Sequence, residues 1–271
     1  MRGTYIGFRL LWLALAFLAM PLAAQWINSP TPGIPRTKDG KPNLSAPAPR
    51  TPDGKPDLSG VWEAEKRNLA DGFGGSGPRT QQFLDIGDGL KGGLPYQPWA
   101  ADLAKARHAQ NSKDNPDVRC LPLGILQMHT HPFIRKIVQV PGLLSILHER
   151  NMEYRQIFTD GRPLPSDPQP SWNGYSSGKW EGDTLVVQTA GFRDGLWADY
   201  NGSPLTDAAK MTERFRRVNF GKLEIEVTVD DPKAYTKPWN VKLNLVIALD
   251  TELLEYVCLE NEKDVSHMVG K

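Results

Sequence analysis

The second half of the chain is written in strand-length runs separated by turn residues, and this spacing constrains the fold more than any other feature. Leu223, Ile225, Val227 and Val229 alternate with Glu224, Glu226 and Thr228, and Val241, Leu243, Leu245, Ile247 and Leu249 repeat the device. A period of two sends each set to its own face of a strand. Runs of strand length fill residues 133–140, 143–150, 154–159, 174–180, 184–190, 212–218, 223–229, 241–249 and 253–259, with a first strand at 60–65. Pro141-Gly142, Glu181-Gly182-Asp183, Asn219-Phe220-Gly221-Lys222 and Asp250-Thr251 join neighbours closely enough to make hairpins. About ten strands exceed what a twisted open sheet holds comfortably, so closure is expected. The reading is an all-β, antiparallel up-and-down barrel of about 8–10 strands, with one short helix at 99–111 behind Pro98.

Ahead of the strands, the chain reads as two further pieces. Arg2 and Arg9 precede an unbroken apolar run from Leu10 to Met20, and Pro21-Leu22-Ala23-Ala24 follows. That is the pattern of a secretory signal peptide, residues 1–24, with no membrane span left after cleavage. Residues 25–58 are rich in Pro, Gly and Lys and read as an extended leader. Within it Thr37-Lys38-Asp39-Gly40-Lys41-Pro42-Asn43-Leu44-Ser45 is echoed by Thr51-Pro52-Asp53-Gly54-Lys55-Pro56-Asp57-Leu58-Ser59, a duplicated turn. Residues 59–271 are then one barrel domain. Export to the periplasm or beyond makes a bridge between the only two cysteines, Cys120 and Cys258, the expected state. A net charge of +1, from 32 basic and 31 acidic residues, gives no field that favours nucleic acid.

The Gly60-Val61-Trp62 opening resembles the Gly-x-Trp start of lipocalins and other calycins, which implies a ligand-holding barrel. The chain also resembles a group of exported bacterial proteins to which no reaction is attached. That resemblance rests on Cys120-Leu121-Pro122, Asp160-Gly161-Arg162, Gly174-Tyr175-Ser176-Ser177-Gly178-Lys179-Trp180-Glu181-Gly182-Asp183, Glu213-Arg214-Phe215-Arg216-Arg217, Asp231-Pro232 with Tyr235 and Pro238-Trp239, and Glu260-Asn261. It implies kinship without an activity.

Several constellations compete for chemistry. His148, Glu149 and Arg150 close one expected strand, and Tyr154 through Asp160 and Arg162 belong to the next. Alternation places His148 and Arg150 on one face and Glu149 on the other. His148 with Glu149 or Asp160 would serve as acid and base in an exported hydrolase, lyase or isomerase, the alternative to a binding protein. The plainer reading pairs these charges with Glu213 or Glu260 at a barrel end. His129 and His131 share one side of an extended segment and leave room for a divalent metal, although no cofactor is expected. Gly174-Tyr175-Ser176-Ser177-Gly178 spells a serine-hydrolase elbow, but a strand follows where that elbow needs a helix. Aromatic residues gather in turn-rich stretches, with Trp172, Tyr175, Trp180, Trp197 and Trp239 among them. With Arg150, Tyr154 and Arg162 they would line a barrel end that binds a small apolar or glycan-type ligand in the interior.

Overall fold

The computed structural model describes residues 30–65 and 81–260. The expected signal peptide, the start of the leader, the glycine-rich stretch at 71–77 and Asn261 lie outside the described residues. The chain order is β1 (Gly60–Ala64), α1 (Gln81–Leu84), α2 (Pro98–Ala109), α3 (Ile125–Thr130), β2 (Arg135–Val140), β3 (Leu143–His148), β4 (Glu153–Phe158), β5 (Tyr175–Glu181), β6 (Thr184–Ala190), β7 (Leu196–Trp197), β8 (Pro204–Leu205), β9 (Lys210–Asn219), β10 (Lys222–Asp230) and β11 (Trp239–Ile247). All strands but β7 and β8 close into one barrel in the order β1-β11-β10-β9-β6-β5-β4-β3-β2, and β7 and β8 pair separately.

Alternation sets which faces look inward. Leu223, Ile225, Val227 and Val229 of β10 are buried and lie opposite Leu245, Leu243, Val241 and Trp239 of β11, which are buried as well. Of their outward neighbours, Glu226 and Lys242 are exposed and Glu224, Thr228 and Asn244 half-buried. Trp62, the tryptophan of the Gly-x-Trp opening, has no exposed surface and stacks under the Arg217 guanidinium. These inward side chains join Ile146, Ile157, Leu185 and Phe215 in one core. Gly182 supplies the positive φ of 59° that the tight β5–β6 turn requires.

One junction departs from the up-and-down pattern. β4 and β5 run parallel and meet only at Ile157↔Ser176 and Phe158↔Ser177. Long hairpins such as β9–β10 pair over whole strands, so this junction is a weak seam in the wall.

Three local expectations are corrected. Residues 253–259 alternate like a strand but form none. β1 already pairs with both β2 and β11, so the tail that leaves β11 finds no free edge beside it. The Cys120–Cys258 disulfide, S–S 2.08 Å, instead pins that tail to the turn ahead of α3. The stretch holding His129 is helical, not extended, and all six residues of α3 are buried across the barrel end where β2 begins. The loops after β6 carry the short β7–β8 pair, for which the sequence offered no run of strand length. The helix expected at 99–111 is α2, with Pro98 at its first turn, where a missing N–H costs nothing. No helix among the described residues is long and apolar enough to cross a membrane.

Candidate functional site

Polar residues enter the barrel through β4, β5, β6 and β9. Alternation turns Arg155, Ser176, Thr189 and Glu213 inward, and all are buried. Arg155 Nη1 donates to Glu213 Oε1 at 3.0 Å, and its Nη2 contacts Glu213 Oε2. The guanidinium also donates from Nε to Ser176 Oγ (3.2 Å) and from Nη2 to Thr189 Oγ1 (3.0 Å). From α3, His129 Nε2 reaches Glu213 Oε1 at 2.8 Å. Burial alone would push the Glu213 carboxyl up, but the Arg155 charge and the His129 hydrogen bond hold it down at about 2. Burial dominates at His129 and lowers it despite Glu213. The state that fits both is an ionised Glu213 accepting from a neutral His129 that carries its proton on Nε2. Two buried charges are thereby paired and hydrogen-bonded, as a low-dielectric interior demands.

Arg155 and Ser176 of this network line a cleft of about 520 Å³ that opens beside the unpaired half of β4. Its walls include Tyr154, Gln156, Trp172, Asn173 and Tyr175, with Asn151 and Met152 at the rim. Tyr154 is 65% exposed, Met152 54% and Tyr175 37%, so the rim presents apolar surface. Asn151 and Met152 hold left-handed φ values of 60° and 48°. Such strain in a methionine costs about 1–3 kcal/mol and concentrates at ligand clamps. Asn151 Nδ2 donates to Asp117 Oδ1 (3.0 Å) and to the Leu121 carbonyl (2.9 Å). Asn173 Nδ2 donates to Glu153 Oε1 (3.0 Å) and to the Tyr154 carbonyl (3.2 Å). These bonds fix both amides, and each Oδ1 is left buried without a partner. Glu153, raised by burial, accepts from the Leu123 and Gly124 amides and so anchors the start of α3.

The residues singled out in the sequence divide into four groups. Tyr154, Trp172 and Tyr175 line the cleft, with Arg193 stacked over the Trp172 ring. Arg150 stands next to the rim, but its partners are Asp117 and the Tyr256 hydroxyl, not Glu213 or Glu260. Arg162 is exposed and pairs with Asp160 near the far end of β4, and Trp180 is half-buried at that same end. Trp197 and Trp239 belong to the buried interior.

The acid–base set does not assemble. His148 pairs with Glu153 at the first residue of β4, whereas Asp160 follows the last residue, Phe158. Glu149 turns away to accept from the Leu254 amide at 3.3 Å. His148 instead packs edge-on to His131, ring centroids 5.7 Å apart. Nor do the two metal candidates converge. His131 caps the end of α3 and packs on Phe83 and Phe133, while His129 faces Glu213. No group of three or more His, Cys, Asp or Glu side chains suited to a metal ion occurs among the described residues.

Sequence reasoning named Glu213 as a carboxylate partner but missed Arg155 as its cation. The available signal was alternation in β4, which places Arg155 two residues from Glu153 and Ile157 on the inward face. No known protein family matches the chain, and no curated protein matches it.

Proposed function

We propose that this chain is an exported binding protein and that the cleft beside β4 takes a glycan-type ligand. The observation that carries the reading is the exposed tyrosine surface of Tyr154 and Tyr175 along a cleft with polar groups in its lining. Tyr154 and Tyr175 supply flat apolar faces, the surface on which a sugar ring stacks. Gln156 and Ser171 add polar side chains to the lining, groups with which ligand hydroxyls would exchange hydrogen bonds. The cleft is within the size range of small-molecule sites, roughly 300–1,000 Å³. Arg155 is already neutralised by Glu213, which removes the reason for an anionic ligand. The Cys120–Cys258 bridge and the basic, apolar, small-residue pattern at the N-terminus support export to the periplasm or beyond. Binding accounts for these features without any reactive group, and the separation of His148 from Asp160 weighs against an acid–base enzyme.

Calorimetric titration with a panel of neutral oligosaccharides tests the proposal. At least one member should bind, and Tyr154→Ala combined with Tyr175→Ala should weaken it at least about tenfold. Binding that survives the double variant, or a panel that gives no heat, would refute it.

A further inference from the structure

The short seam has a second consequence. β4 ends at Phe158 while β5 continues to Glu181, so the offset that opens the wall at one end of β4 also leaves β5 without this partner at the other. A pocket of about 320 Å³ lies there, lined by Val140, Pro141, Leu144, Thr159, Trp180 and Leu185. Thr51, Pro52 and Asp53 of the leader form a further wall.

We propose that this pocket is a second binding site, independent of the glycan cleft, for a small uncharged aromatic molecule of two or three rings. Leu144 and Leu185 belong to the barrel core, so the pocket reaches the apolar interior. The lining contains no cation, and its carboxylate, Asp53, disfavours an anion. Its other polar groups are largely committed. Gln139 accepts from the Leu58 amide (2.9 Å) and donates to the Pro56 carbonyl (3.2 Å). Thr51 Oγ1 is bound within its own turn, to Asp53 Oδ1 and the Lys55 carbonyl. What remains is apolar surface, which selects for hydrophobic burial over hydrogen-bond readout.

The duplicated turn explains how the pocket is closed. In the second copy, the Thr51 amide donates to Lys55 O (2.9 Å), the Gly54 amide to Thr51 O (2.8 Å) and Arg50 Nη1 to Gly54 O (2.7 Å). The first copy repeats all three, from Thr37 to Lys41 O (2.9 Å), Gly40 to Thr37 O (3.0 Å) and Arg36 to Gly40 O (2.7 Å). Gly40 and Gly54 share a φ of 80°. Only Arg50 also reaches a carboxylate, Asp183, at 3.0 and 2.7 Å. The first copy keeps its shape without that contact, so the shape belongs to the motif and the second copy is a preformed flap. An exposed ion pair holds the flap at the tip of the β5–β6 hairpin, and such pairs are weak enough to open readily.

The test is a titration of the full-length protein with the neutral fluorophore N-phenyl-1-naphthylamine and its anionic relative 8-anilinonaphthalene-1-sulfonate. The neutral probe should bind, and the anionic one should bind at least about tenfold more weakly. Val140→Trp and Thr159→Phe, which fill the pocket from its edge, should each weaken the neutral probe by about tenfold or more. Arg50→Ala should speed its association and dissociation. Amide shifts on the wild-type protein should fall at residues 139–144 and 178–185, a readout that holds even if a filling variant fails to fold. Absence of binding, shifts confined to residues 151–156 and 171–176, equal affinity for both probes, or indifference to both filling substitutions in folded protein would each overturn the proposal. Tyr154→Ala with Tyr175→Ala should leave this binding unchanged, so its failure is distinguishable from that of the glycan cleft.

Discussion

The wall made by β10 and β11 differs from the wall made by β3, β4 and β5 in both pairing and chemistry. β10 and β11 are registered over eight residue pairs, and their opposed inward residues from Leu223↔Leu245 to Val229↔Trp239 are all apolar. β4 and β5 share two pairs, and their side of the barrel turns His148, Glu153, Arg155 and Ser176 inward. Hydrophobic burial and long ladders secure the first wall. The second gives up pairing, leaves clefts at both ends of the seam, and depends on paired charges and on α3. The contrast teaches that a closed barrel need not have a uniform wall, because a short junction is enough to open clefts in it.

The largest expected effect comes from removing the charge that holds the polar wall. Glu213→Ala should destabilise the fold by about 3–5 kcal/mol, since Arg155 would be left buried and unpaired. Chemical denaturation checks this, and a loss under about 1 kcal/mol would show that the pair does not matter. Replacing both cysteines by serine should cost about 2–4 kcal/mol, because the bridge spans 138 residues of chain. It should also weaken ligand binding, since the bridge restrains the turn that carries Leu121 and Pro122 beside Asn151.

Acid should attack the polar wall first. Burial lowers His129 and His148, and brings His131 to about 3. Below pH 6.5 the unfolded chain takes up protons that these folded-state imidazoles refuse, so stability falls as pH drops toward about 3. The slope is about 1.4 kcal/mol per histidine per pH unit at most. Glu153 and Asp199, raised by burial, oppose this partly, whereas Glu213, held at about 2, adds to the loss below pH 4.5. Denaturation midpoints measured from pH 7 to 4 should therefore decline, and a flat profile would contradict neutral buried histidines.

Changes to the apolar wall should be milder and indifferent to pH. Ile225→Val should cost about 1 kcal/mol in thermal or chemical unfolding. The smallest effect is expected at the rim. Met152→Gly should relieve the left-handed strain and leave stability within about 1 kcal/mol of the parent. Ligand affinity should fall all the same, and retention of full affinity would remove Met152 from the site.

Legibility in the sequence follows the same division. The alternation at 223–229 and 241–249 reads directly as β10 and β11, because burial on one face alone determines it. Residues 253–259 carry a similar pattern without becoming a strand, since edge availability is a property of the closed barrel and not of any segment. α3 was hidden for the complementary reason. All its residues are buried, so Ile125-Leu126-Gln127-Met128-His129-Thr130 shows no polar face from which a helical period could be read. The candidate site was half legible. Tyr154, Trp172 and Tyr175 were identified as aromatic surface, but the cleft that unites them depends on the β4–β5 offset, which no turn residue encodes. His148 and Asp160 appeared as partners only because neighbouring strands suggest proximity, whereas a strand's length lies between them.

Native-state hydrogen exchange, followed strand by strand, tests most directly whether the seam is where this barrel opens to a ligand. Amides of β10 and β11 should exchange slowest, and those at 153–156 and 171–176 fastest among the barrel residues. An oligosaccharide that binds should slow the second group and leave the first unchanged. Equal protection around the whole circumference, or slowing that appears only at β10 and β11, would contradict it.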